Sequence, residues 1–386
     1  MFTLVIFIAV LAVLVLSHEL GHFISARKSG MKVYEFGFGF PPRAFGWYKD
    51  PITKKIKFVG KNYEAKSCPA DTLYSVNWLP LGGFVSIRGE NEQDLAPDSF
   101  QTKSFWPKAA TIVAGVVMNI VLAGALFSIG YMFGLPQVTE QLPDSAKVEN
   151  RRVEILQVIA GKPAAIAGLQ EGDAVVKVGS IDYPRLKEMQ DYINTHQDEE
   201  VEVIVKRGEE IIVQNIKPFV YPETGRAGIG VAIAELGTVS YPWYLAFYYG
   251  FKNAFLMFGA IAIAFYDFIK GLFVGTSVAG DMAGPVGIAV MTGKIAKLGF
   301  IYLLQFTAVL SLNLAFINIL PIPALDGGRL LFLILNKINK KLAPAKFEQI
   351  AHSVGFMLLM ILILAVTLKD LTMFKGFFIN LVNKIF

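Results

Sequence analysis

Cysteine is all but missing from this chain: Cys68 is the one instance in 386 residues. An intramolecular disulfide is therefore excluded, and cysteine usage says nothing about redox compartment. Charge is thin as well, at 17% of residues against 54% hydrophobic. That balance is too apolar for a single soluble domain and implies membrane spans. A formal charge of +5 raises the question of a nucleic-acid partner. In a membrane chain such basic residues flank the spans on the cytoplasmic side instead, so no nucleic acid is expected. Internal repeats and low-complexity tracts are absent, which removes the usual signature of a repeat-built transporter. No small-residue cleavage site follows the apolar start. It runs into "SHELGHFISARKSG", with basic residues after the apolar run, and reads as an uncleaved first span.

Four stretches are long enough to cross ~30 Å of hydrocarbon. They are Phe2–Ala26, Ala109–Gly134, Leu298–Leu325 and Ile350–Leu368. Tyr244–Val274 is also apolar but carries Lys252, Asp267 and Lys270. The loop Arg27–Lys108 holds thirteen Lys/Arg against eight Asp/Glu, and Asp326–His352 holds five against two. Both read as cytoplasmic, which puts both termini outside. A lone extra span at Tyr244–Val274 would reverse that parity. This stretch therefore reads as interfacial and amphipathic, or as one paired with a re-entrant Gly280–Met291.

Between the second and third spans the character changes. Glu140–Ala234 is rich in charge and β-branched residues, and "VEVIVKRGEEIIVQNI" alternates as strands do around a turn at Gly208. "GKPAAIAGLQEGDAVVKVGS" predicts a short helix over Pro163–Ala167, ended by Gly168, then a turn and a strand. About 95 residues suffice for an independent core. Asn77–Ile87, "NWLPLGGFVSI", reads as a hairpin or loop able to dip toward the membrane interface. The expected fold class is thus a multi-span α-helical membrane protein of about four transmembrane helices. It carries a membrane-associated β-hairpin element and an inserted α+β domain. The chain divides at 1–134, 140–234, 240–297 and 298–386.

The chemistry concentrates in "HELGH". His18 and His22 are i and i+4 on a helix, so both imidazoles leave one face about a turn apart, the separation a metal needs. Glu19 stands beside them, placed to take a proton from water. Three ionisable groups in apolar sequence are expensive without a purpose. A third ligand has few candidates. His196 reads as a solvated residue of the inserted domain, and His352 as an interface residue with a reserve ligand role. Glu35 and Glu64 lack a clear second helix, and Ser25 and Lys28 replace the Gly and His of an astacin-like continuation. Asp326, in "NILPIPALDGG", lies toward the cytoplasmic end of its span, as the histidines do, and depth matching favours it. Asn318, Pro321 and Pro323 interrupt the helix before it, which would aim the carboxylate inward. Broken backbone at that depth requires a protein-walled or wet cavity, so water can reach the site.

"HELGH", "GVVMN", a PDZ-like "GKPAAIAGLQEGDAVVKV", "GPVGI" and "NILPIPALDGG" occur in that order. Together they resemble the site-2 protease family of intramembrane zinc metalloproteases, in its bacterial RseP-type branch, over nearly the whole chain. The resemblance implies Zn2+ on His18, His22 and Asp326, with Glu19 as general base. It implies cleavage of single-span membrane proteins, anti-sigma factors or signal-peptide remnants, after an upstream site-1-type protease cuts outside. It also implies residence in the bacterial inner membrane with the PDZ-like domain extracytoplasmic. The Trp78–Arg88 region resembles the family's β element that holds substrate as an added strand. Gly82, Gly83, Phe84, Val85, Asn119, Asn318 and Pro321 are the substrate-binding candidates that follow. Tandem PDZ modules of close relatives find room here for one.

Overall fold

The computed structural model describes residues 2–373 except 71, 91, 93, 140–141, 144, 198, 223–224, 276–283 and 340–343. Two compact units emerge, Met1–Ile129 with Phe247–Phe386, and Gly130–Ala246.

In the first unit, the apolar run forms helix α1 (Phe2–Lys28), with Arg27 and Lys28 in its last turn, where cations favour the helix dipole. Strands β1 (Val33–Lys49), β2 (Ile56–Val59) and β3 (Leu73–Ile87) follow, then helix α2 (Phe105–Phe133). β1 and β3 each bend back on themselves. Phe36 pairs with Val85 on one side and Tyr74 on the other, and Trp47 pairs with Tyr74 in turn. The lateral order is therefore 83–87, 33–38, 73–76, 43–49, 56–59, with residues 83–87 on an edge. Asn77–Ile87 is thus not a local hairpin but part of a curled sheet. Its partners lie some forty residues upstream, beyond the reach of any turn signal. At the bend, Phe40, Phe45, Trp78 and Leu79 are exposed, an apolar tip suited to a membrane interface.

The second unit is antiparallel throughout. It comprises β4 (Leu135–Val138), β5 (Lys147–Val158), α3 (Pro163–Ile166), β6 (Ala174–Val178), β7 (Ile181–Asp182), α4 (Leu186–Thr195), β8 (Val201–Arg207), β9 (Glu210–Ile216), β10 (Phe219–Val220), β11 (Ala227–Gly228) and β12 (Val231–Ser240). The main sheet runs β4-β12-β5-β6-β8-β9, with β7 on β6. Alternation in β8 buries Val201, Val203 and Val205 against Met189 and Ile193 of α4. Proline at the first turn of α3 and Gly168 just past it delimit that helix as expected. Beneath this core, Asp173 is fully buried and gripped by both nitrogens of the Arg207 fork at 2.7 and 2.8 Å. β4 and the end of β12 carry the unit past the expected limits of 140 and 234; residues 140 and 141 lie outside the described residues.

The chain returns to the first unit in α5 (Trp243–Val274), α6 (Pro285–Leu298), α7 (Phe300–Ile319), α8 (Asp326–Ile338) and α9 (Ala345–Met373). Five helices among the described residues, not four, are long and apolar enough to cross a membrane, and the addition is Trp243–Gly271. Nor is α5 an isolated interfacial segment. Its Gly250 and Phe251 press on Ser128 and Gly124 of α2, and its Phe258 and Phe265 rings meet Phe316 of α7 at 6.0 and 5.3 Å. Three scattered charges in a 32-residue helix do not prevent this packing.

Asp370 of α9 accepts hydrogen bonds from the backbone N–H of Gly284 (3.1 Å) and Gly287 (2.7 Å), while Gly293 of α6 abuts Thr3. α6 thus lies at the Thr3 end of α1, roughly 20 Å along the helix from the histidines at 1.5 Å per residue. α5 and α7 both run from that level toward Phe316. The re-entrant stretch considered from the sequence falls partly on 280–283, outside the described residues; its remainder opens α6.

Candidate metal centre

The two histidines need a second helix very close by, and glycine permits it. Gly21 backs onto the Ala114 carbonyl of α2. Across from it, a Cβ on Gly115 would stand 2.5 Å from His22 Nε2 and 2.7 Å from His18 Cε1. The same face of α2 orients both rings. His22 Nδ1 donates to the Thr111 carbonyl at 2.8 Å, which leaves Nε2 free to ligate. His18 Nδ1 lies 3.2 Å from the Asn119 amide. Asn119 is fully buried and its Oδ1 has no partner as drawn. Exchanging the amide's oxygen and nitrogen gives His18 Nδ1–H its acceptor and aims His18 Nε2 at the cluster. Asn119 is therefore placed behind a histidine and is buried against it. Its own carbonyl accepts from Ser311 Oγ at 2.8 Å, which ties α7 to this spot.

Helix α7 stops at Ile319 because Pro321 and Pro323 offer no backbone N–H. Seven residues later α8 begins with Asp326, whose Oδ2 lies 3.1 Å from His18 Nε2 and 3.3 Å from His22 Nε2. The two Nε2 atoms are 3.2 Å apart. Ligands held tetrahedrally at ~2.0–2.1 Å stand about 3.3 Å from one another, so this nearly equilateral triangle has the dimensions of one face of a metal tetrahedron. Asp326 Oδ2 is buried with no hydrogen-bond donor, as a ligand oxygen would be. These three residues are the cluster able to hold a metal among the described residues.

A cavity of about 240 Å³ opens on the triangle, lined by Glu19, Phe84, Val85, Glu90 and Arg329 among others. The sheet edge thus borders the metal triangle. Gly83 is pressed against α1, where a Cβ would reach Val15 at 3.1 Å and Glu19 Cγ at 3.3 Å. Gly82, Gly83, Asn318 and Pro321 do not line this cavity. Asn318 sits in the last turn of α7, and Pro321 is exposed in the break. Glu90 and Arg329 form an ion pair joining the turn after the sheet's edge strand to α8.

The other ligand candidates find different work. Glu35 is buried in a two-pronged pair with Arg43 at 2.7 and 3.1 Å, and Glu64 is exposed. His196 stacks on Tyr192 at 4.1 Å. His352 is no reserve ligand: its Nδ1 accepts the backbone N–H of Ala324 at 2.8 Å. Thr111, Gly115, Glu90 and Arg329 escaped the sequence reading. Thr111, Gly115 and Asn119 recur every four residues, so they share one face of α2, and that spacing was the available signal.

The model of peptidase family M50 matches residues 6–60 and 55–362. An inferred zinc metalloprotease of Clostridium perfringens is 32% identical, covering 93% of this chain and 95% of its own length. A second, from Clostridium acetobutylicum, is 30% identical over 96% and 97%. Zinc metalloprotease RasP of Bacillus licheniformis is 28% identical over 96% and 98%. The PDZ domain of an SdrC-like protein from Listeria monocytogenes is similar at 26% identity, covering 22% of this chain and 92% of that chain with a TM-score of 0.21. Apolar helices enclosing a two-histidine, one-carboxylate cluster make this a membrane metalloendopeptidase. The chain belongs to peptidase family M50, the site-2 protease family.

Proposed function

We propose that the chain is a zinc-dependent intramembrane endopeptidase that cuts single-span membrane proteins trimmed beforehand by an extracytoplasmic protease. The observation that carries this reading is the 3.1–3.3 Å triangle of His18, His22 and Asp326 in an apolar bundle. Zinc, when bound there, supplies a Lewis acid that makes water nucleophilic at neutral pH. Glu19 takes the proton of the attacking water and returns it to the leaving amine. Thr111 and Asn119 hold the ligating tautomers of the two histidines.

A helical substrate hides its peptide bonds in its own hydrogen bonds and must be extended before attack. Residues 83–87 offer an unpaired strand edge beside the cavity, and a substrate added there as a strand would be both extended and aligned. Phe84 and Val85 contact it; Gly82 and Gly83 let the edge approach α1. Asn318 and Pro321 would act at the lip of the α7 break. The basic loops favour cytoplasmic placement of the sheet and of α8, with the PDZ-like unit outside the inner membrane. A size filter on intact ectodomains is the role proposed for that unit, and such a filter needs only one module.

Glu19→Gln tests the assignment. It should retain zinc and lose turnover, whereas His22→Ala should lose both. Parental turnover in Glu19→Gln would remove the general base.

A further inference from the structure

Residues 320–325 set where Asp326 points, and their backbone accounting has one outside creditor. Leu320, Ile322 and Leu325 donate their N–H groups within the segment or to the turn before it. Pro321 and Pro323 have none to give. Ala324 alone donates elsewhere, to Nδ1 of His352 on α9, at 2.8 Å. Ala324 is also the residue under strain, with φ of +81° where a side chain is disfavoured. Such a conformation persists only where its surroundings hold it.

α9 is built to provide that hold. A Cβ on Gly355, one turn beyond His352, would strike the Pro323 carbonyl, so the helix lies directly against the break. The His352 ring packs on Phe332 of α8 at 5.4 Å between centroids. An Nδ1 that accepts requires the proton on Nε2. That Nε2 is buried without a partner. An apolar ring would fill the same space without burying an orphan N–H. The position therefore gains from the acceptor rather than from ring volume.

We infer that His352 is a positioning residue of the metal centre: its Nδ1 holds Ala324 in the left-handed region and thereby fixes the carboxylate of Asp326 two residues on. The inference rests on the reading of His18, His22 and Asp326 as zinc ligands, but makes a separate demand on the helix that contributes none of them.

The test needs no substrate. Full-length protein in detergent is titrated with Zn2+ against a chelator, and with Co2+ to read ligand geometry from its visible bands. His352→Phe keeps the ring and removes the acceptor. It should bind zinc about tenfold more weakly, the lower end for loss of a group that orients a ligand, with altered Co2+ bands. His352→Asn restores an acceptor near the Nδ1 position and should recover affinity to within about twofold of the parent. Adding Ala324→Gly to His352→Phe relieves the strain and should recover most of the loss. Parental affinity and bands in His352→Phe would overturn the inference. Equal loss in His352→Asn and His352→Phe would overturn it too, since ring volume would then be what matters. A parent that binds no zinc would instead bring down the metal centre itself.

Discussion

Gly115→Ala should disable the metal site without touching a ligand. The added Cβ would stand 2.5 Å from His22 Nε2, 2.7 Å from His18 Cε1 and 2.8 Å from His22 Cε1. Ordinary contacts begin near 3.5 Å, so the imidazoles must retreat by roughly 1 Å. Metal–ligand distances tolerate only about 0.2 Å. Neither ring can move alone, because His22 is bonded to Thr111 and His18 faces Asn119 on the same helix that carries the intruding methyl. Alternatively α1 and α2 separate, which Gly21 against the Ala114 carbonyl shows to be a tightly closed crossing. Zinc affinity should fall by at least 10- to 100-fold, about 1.4–2.8 kcal/mol at 1.4 kcal/mol per decade. Overpacking would add roughly 1–3 kcal/mol to the loss of fold stability. Gly259→Ala is the control, since a Cβ on that exposed α5 glycine meets nothing within 4 Å. It should be silent or slightly stabilising, alanine being the better helix former. Chelator competition on both purified variants, with thermal melts, is the assay. Parental zinc affinity in Gly115→Ala would refute the close-packed arrangement of α1 and α2.

In the PDZ-like unit, burial pushes the Asp173 carboxyl up, but the Arg207 fork and the Gln170 N–H outweigh it and hold its pKa below the usual carboxylate range. A depressed folded-state pKa stabilises above the unfolded value near 3.9 and loses that stability as pH falls through the folded value. The melting of this unit should be flat in this respect above about pH 5 and drop below pH 4. Asp173→Asn should cost roughly 1.5–3 kcal/mol at pH 7 and remove much of that acid sensitivity; a variant melting like the parent would refute the pair's role. For topology, a reporter fused after Gly208 should be external and one after Asn339 cytoplasmic, and reversed labelling at either site would overturn the charge-based orientation.

The three residues of the triangle were legible because their constraints are local or compositional. His18 and His22 share a helical face by spacing alone, and Asp326 follows a proline break at matching depth. What surrounds them was not legible. Gly115 matters because two helices cross there; its four-residue spacing from Thr111 and Asn119 marks a shared face of α2 but not what packs against that face. The curled sheet was misread as a hairpin because β3 draws its partners from 33–49. α5 was demoted for three charges and for parity, whereas contacts with α2 and α7 hold it beside them. His352 was weighed as a ligand or an interface residue. Its actual partner, the Ala324 N–H, is invisible without the φ of +81° that makes that residue need one.

Zinc stoichiometry of Asp326→Ala beside the parent tests the central claim most directly, because Asp326 is the side chain that the helix break brings to His18 and His22 of the HELGH span. Both proteins are purified intact without added chelator and read by elemental analysis. The account predicts about one zinc per parent chain and little or none in Asp326→Ala, since two histidines alone are one protein ligand short of the three that a catalytic zinc site takes. A parent without zinc, or an Asp326→Ala protein retaining a full equivalent, would contradict it.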